Sequence, residues 1–209
     1  MPYVCLLLSG AALLVNGLAT LGHLPRRDAA VLSLVVGGTQ LALGVVQLSS
    51  SGDAPAMLMT AAGMFLFAVT YLYSGLDLLL ALGGRGLGWF CGMVAFCGLV
   101  LAAAWLTVDP LLAVLWLCWS ALWALLFARM ALDAVRLEPF TGWALVLTSQ
   151  ASATVPALLG LASLWPRSDA VAWLAALLLA GLFVAARTLA RRGQNVPRRA
   201  SAGKSLPAK

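Results

Sequence analysis

Long apolar runs near residues 2–22, 29–50, 56–82, 87–107, 111–134, 142–165 and 169–190 divide the chain into seven blocks. Each is about 20 residues or longer, and at roughly 1.5 Å per residue each reaches across a hydrocarbon core of about 30 Å. The gaps between them collect Pro, Gly, Ser and charge, as in His23-Leu24-Pro25-Arg26-Arg27-Asp28, Gly83-Gly84-Arg85-Gly86 and Pro166-Arg167-Ser168-Asp169. The runs are too long and too uniformly apolar for barrel strands, which alternate over about ten residues. The pattern predicts an all-α integral membrane protein, a seven-helix bundle.

Composition supports the same solvent. Of the 209 residues 63% are hydrophobic and 10% charged, against roughly 45–50% and 25% in soluble domains. Charge then sets direction. With the N-terminus outside and the C-terminus cytoplasmic, twelve of the thirteen Lys and Arg fall on the inner side, and Arg167 alone on the outer. The first run lacks a basic n-region and is longer than the apolar core of a cleaved signal. The net charge of +6 is concentrated in the tail, which reads as a topogenic, lipid-facing segment and not as a nucleic-acid site.

Candidates for chemistry are scarce. Cys5, Cys91, Cys97 and Cys118 lie inside the runs with no metal-site spacing, and His23 is the sole histidine. No phosphate loop or dinucleotide fingerprint occurs. The chain is therefore read as no enzyme, with no cofactor and no metal.

The informative residues are the polar ones at membrane depth, each costly unless paired or hydrated. Leu6, Ser9, Leu13, Asn16 and Thr20 share one face of the first helix; Ser33, Gly37, Gln40, Gly44 and Gln47 share one of the second. Asn16 fits a helix–helix clamp and a pore lining equally well. The Gly37/Gly44 face, like Gly88 and Gly92, reads as close helix packing. Trp116, Trp119 and Trp123 form a stripe in the fifth helix, and Trp123 lies about 10 Å deeper than Trp116, too deep for an interfacial belt. Thr141, Thr148 and Ser152 share a face of the sixth helix, near Ser149, Gln150 and Pro156. Asp77, Arg129, Asp133 and Arg187 all sit toward the inner ends, with Arg129 and Asp133 spaced as an i, i+4 ion pair. No carboxylate or lysine lies near the midplane, so any solute that crosses is neutral and moves down its gradient.

These residues resemble the AmiS/UreI family of amide transporters and urea channels. The matching pieces are Val15-Asn16-Gly17, Ala30-Val31, Val36-Gly37-Gly38 and Thr70-Tyr71-Leu72-Tyr73. Trp116-Leu117-x-Trp119-x-x-Leu122-Trp123 and Phe140-Thr141-x-Trp143 leading to Pro156 continue the series over residues 1–165. The resemblance implies a six-helix protomer with its own pore, a homo-oligomer of hexameric form, and urea or short aliphatic amides as solutes. It implies pore-lining roles for Leu6, Leu13, Asn16, Phe67, Thr70, Tyr71, Trp116, Trp119, Leu122 and Trp123. Thr148 stands where the family carries a glutamate, and is expected at the same lining.

Two further departures stand out. The acid-gated member has a histidine-bearing outer loop, whereas the outer gaps here are short and lack histidine, so proton gating is not expected. Residues 166–190 add a seventh helix to the 1–165 unit, followed by a basic, disordered cytoplasmic tail at 191–209. The resulting expectation is a passive, multi-pass facilitator of urea or short-chain amides in the bacterial cytoplasmic membrane. The rival readings are a non-transporting scaffold or subunit, and a facilitator of another small neutral solute.

Overall fold

The computed structural model describes residues 2–195 apart from 51 and 53. Among these the chain is helical with no strand: α1 (Pro2–Thr20), α2 (Arg26–Ser49), α3 (Pro55–Leu80), α4 (Arg85–Trp105) and α5 (Pro110–Met130) come first. The sixth crossing, Val135–Leu161, is broken into a 3₁₀ turn (Val135–Leu137), α6 (Glu138–Ser149), a π-helical turn (Gln150–Thr154) and α7 (Val155–Leu161). The last helix is α8 (Asp169–Asn195). Seven of these segments are long and apolar enough to cross a membrane.

Local chemistry explains several boundaries. Pro55 and Pro110 open α3 and α5, where a missing N–H removes no helical hydrogen bond. The Asp109 carboxylate caps α5 by accepting from the Leu112 backbone N–H at 3.0 Å. Pro156 cannot donate to the carbonyl four residues back and crowds it. The chain widens just upstream into the π turn, in which Val155 N–H reaches Gln150 O.

Packing closes the six crossings into a ring: α1 on α2, α2 on α3, α3 on α4, α4 on α5, α5 on α6, and α6 back on α1. The α2–α3 seam is the closest kind of contact. A Cβ at Gly37 would stand 2.7 Å from Leu72 N and 2.9 Å from Ala68 O, so only hydrogen fits there. α8 lies outside the ring against α6 and α5. It buries a narrow strip that includes Ala172, Leu179 and Ala186, while Trp173 stays 72% exposed.

Two boundaries differ from those expected. The last helix continues to Asn195, five residues past the end of its apolar run, because Arg191 and Arg192 are good helix formers. Residues 191–195 therefore extend the helix rather than begin the tail, and 196–209 lie outside the described residues. Second, Arg129 and Asp133 do not pair: α5 ends at Met130, and Asp133 takes a left-handed φ of 52° in the turn beyond.

Candidate functional site

Two cavities lie end to end inside the ring. The larger, of about 490 Å³, opens near the α1–α2, α3–α4 and α5–α6 connections. The smaller, of about 250 Å³, opens at the opposite end, beside Tyr3, Asp109 and Trp165. Phe67 and Trp119 line both, and their rings meet edge to face with centroids 5.1 Å apart at 86°. The pair is a waist between two vestibules.

Ten of the expected site residues face this path. Leu6 and Trp116 line the smaller cavity, and Leu13, Asn16, Thr70, Tyr71, Leu122 and Trp123 the larger; Phe67 and Trp119 belong to both. Thr148 lines neither. It is fully buried, its hydroxyl donates to Ala144 O at 2.8 Å, and its side chain lies beside Cys118 within the helix packing. On the same helical face Thr141 and Ser152 are also fully buried and line neither cavity, while Leu145 reaches the larger one.

The aromatic wall is built from α5 and from the Phe67 and Tyr71 rings of α3. Phe67 packs on Trp123 at 4.7 Å and on Trp116 at 6.0 Å, while Trp116 and Trp119 meet at 5.2 Å and 82°. Such tilted and edge-on contacts add about 0.5–1.5 kcal/mol each beyond area burial, which holds the rings in place. Gly63 makes room for Trp116: a Cβ there would sit 2.7 Å from the indole. At the waist, the Trp119 indole N–H donates to Ser152 Oγ at 3.2 Å, so the π turn of the sixth crossing fixes that ring. Sequence reasoning placed Ser152 with Thr148 and missed this contact, which spans 33 residues.

The polar wall comes from α1 and α3, braced from behind by α2. Asn16 Nδ2 donates to Ala12 O at 2.8 Å and to Ser33 Oγ at 2.9 Å. A carbonyl only accepts, so Ala12 fixes which way the amide points. Asn16 thus clamps α1 to α2 with its nitrogen, while Oδ1 accepts no hydrogen bond among the described residues and remains open to the larger cavity. Thr70 donates to Leu66 O at 2.7 Å, leaving its oxygen to accept. The indole N–H groups of Trp116 and Trp123 have no partner among the described residues and are not sealed from the cavities they line. Behind this surface Gln40, fully buried, donates to Cys5 O at 2.8 Å and Ser9 Oγ at 2.9 Å.

Charge is confined to the two rims. At the larger cavity Arg26 and Arg129 share the Glu138 carboxylate at 3.2 and 3.4 Å, and Asp77 accepts from Gly84 N–H at 2.8 Å. Asp133 also faces that mouth. At the smaller cavity Asp109 is the one ionisable carboxylate of the lining. No charged side chain lines the stretch between the rims. Among the described residues no three His, Cys, Asp or Glu side chains converge as a metal site.

A ring of membrane-crossing helices around a waisted path with an uncharged middle defines a membrane channel or transporter. The chain belongs to the AmiS/UreI family of transporters, whose model matches residues 1–164. Members of this family are transporters and channels, not enzymes. A Rhodococcus erythropolis protein assigned as the transporter AmiS2 is 45% identical over 184 residues, 86% of this chain and 89% of that one. A Mycolicibacterium smegmatis protein assigned to the transport of amidate substrates is 35% identical over 158 residues, 75% and 74% of the two chains. Among solved structures, the urea channel from the gastric pathogen Helicobacter pylori superimposes with a TM-score of 0.72 and 27% identity, over 79% of this chain and 100% of that one. The closed state of the same channel superimposes with a TM-score of 0.71 over the same shares.

Proposed function

We propose that the chain is a passive facilitator of urea or short-chain aliphatic amides that is not gated by protons. The observation that carries this reading is the waist: two cavities whose linings share only Phe67 and Trp119, with uncharged walls on both sides. An ion entering there would exchange its hydration for aromatic faces and no countercharge, at a large desolvation cost. A flat neutral amide loses less. Its N–H groups find acceptors in Asn16 Oδ1 and Thr70 Oγ1, and its carbonyl finds the Trp123 indole N–H across the larger cavity. The similarity to a urea channel and to an assigned amidate transporter points to the same solute class.

The positive-inside bias supports an N-out, C-in topology in the bacterial cytoplasmic membrane, and the family supports a homo-oligomeric ring, hexameric in form. His23, the sole histidine, is exposed on the α1–α2 connection and lines neither cavity. Neither cavity is thus lined by a histidine, the side chain whose charge ordinarily changes between about pH 5 and 8. A non-transporting scaffold would leave both cavities without a role.

Reconstitution into liposomes tests the proposal, with light scattering following shrinkage and re-swelling in urea or acetamide gradients. Permeability should exceed that of empty liposomes and stay flat between about pH 5 and 8. Asn16→Ala should lower it by roughly fivefold, the equivalent of one hydrogen bond, and Trp119→Ala should blur discrimination by solute size. Permeability equal to that of empty liposomes, or unchanged in both variants, would overturn the reading.

A further inference from the structure

We propose that Trp165 is a solute-selecting residue at the entrance of the smaller cavity, delivered there by the connection to α8 and held by Asp109. The inference rests on reading the cavities as a solute path. Trp165 lines the rim of the smaller cavity, one residue beyond the stretch that the family model matches.

Its position is built by three contacts. α7 ends in a Schellman turn, with Ser163 N–H on Gly160 O at 3.1 Å and Leu164 N–H on Leu159 O at 2.8 Å. Ser163 takes the left-handed conformation this turn requires, φ 60°, and the chain reverses toward the ring axis. The Trp165 indole N–H then donates to Asp109 Oδ2 at 2.9 Å. Its ring lies 5.5 Å from that of Tyr3, which itself rests on Gly160.

Asp109 uses both oxygens, Oδ1 on the α5 N-terminus and Oδ2 on Trp165, so cap and latch are one carboxylate. A solute reaching Leu6 and Trp116 from this end passes the Tyr3–Trp165 pair first. The same geometry gives α8 a role. The helix packs on α5 and α6 from outside the ring, and it anchors the far end of the segment that carries Trp165.

Cys5 lines the smaller cavity beneath this cover and reports on it without any need for transport. In protein with Cys91, Cys97 and Cys118 changed to Ala, the rate of N-ethylmaleimide addition to Cys5 is read by mass spectrometry. Trp165→Ala removes the cover. Asp109→Asn keeps an oxygen to cap α5 but turns an N–H toward the Trp165 N–H and loses the latch. Both should speed Cys5 modification by about tenfold or more, the factor that one hydrogen bond to a charged group is worth. In proteoliposomes both should raise butyramide permeability relative to acetamide.

An unchanged Cys5 rate in both variants overturns the cover. A faster rate with an unchanged permeability ratio overturns the selecting role. Wild-type liposomes that pass neither amide refute the solute path itself, while the Cys5 rates still decide whether Trp165 covers the cavity.

Discussion

The two ends of the path are built differently. The larger cavity opens through a rim of five ionisable side chains, Arg26, Asp77, Arg129, Asp133 and Glu138. The smaller opens through aromatic rings and the single carboxylate of Asp109. Both narrow to the same Phe67–Trp119 pair. Charge is tolerated where side chains reach water at a helix end, and it disappears where the walls must desolvate a solute. At the waist the protein relies on ring packing and on hydrogen bonds already tied inside the wall. One rim is electrostatic and can relax; the other is a packed latch.

Graded substitutions can break or sharpen this contrast, and thermal unfolding in detergent orders them. Glu138→Ala should cost most, about 1–3 kcal/mol, between a surface pair and a buried one. It strips the partner from Arg129, whose side chain is 22% exposed and whose Nε is already buried without a hydrogen bond. Ser152→Ala should cost about 1 kcal/mol, one neutral hydrogen bond at the waist, and should leave Trp119 free to turn. Arg26→Gln should cost less than about 0.5–1 kcal/mol, because its side chain is 66% exposed. If Arg26→Gln matched Glu138→Ala, the rim would be one rigid network, and the contrast with the aromatic end would fail.

Much of this architecture is legible in the sequence for a simple reason. A membrane-crossing helix is recognised by length and apolarity, which need no knowledge of neighbours, and the Trp116, Trp119 and Trp123 stripe stands out against that background. Helical spacing also says which residues share a face, but it does not say what the face meets. Thr148 shows the limit: Leu145, three residues before it on the same face, lines the larger cavity, yet Thr148 itself packs against protein. Asn16 shows another. Clamp and lining look like alternatives on paper, but its two amide atoms point different ways and serve both.

The Arg129–Asp133 pairing failed because it needs a helix that continues, and α5 stops at Met130. Asp109 before Pro110 can be read locally as a helix cap. Its second bond, to a tryptophan 56 residues away, carries no local signal.

The central claim is that solute passes between Phe67 and Trp119. A Phe67→Cys protein with its native cysteines changed to Ala places one thiol at that point, and a methanethiosulfonate reagent can then plug it reversibly. Urea permeability of the reconstituted protein should fall to that of empty liposomes on modification and return on reduction. A fully modified protein that passes urea as fast as the unmodified one would show that the path lies elsewhere.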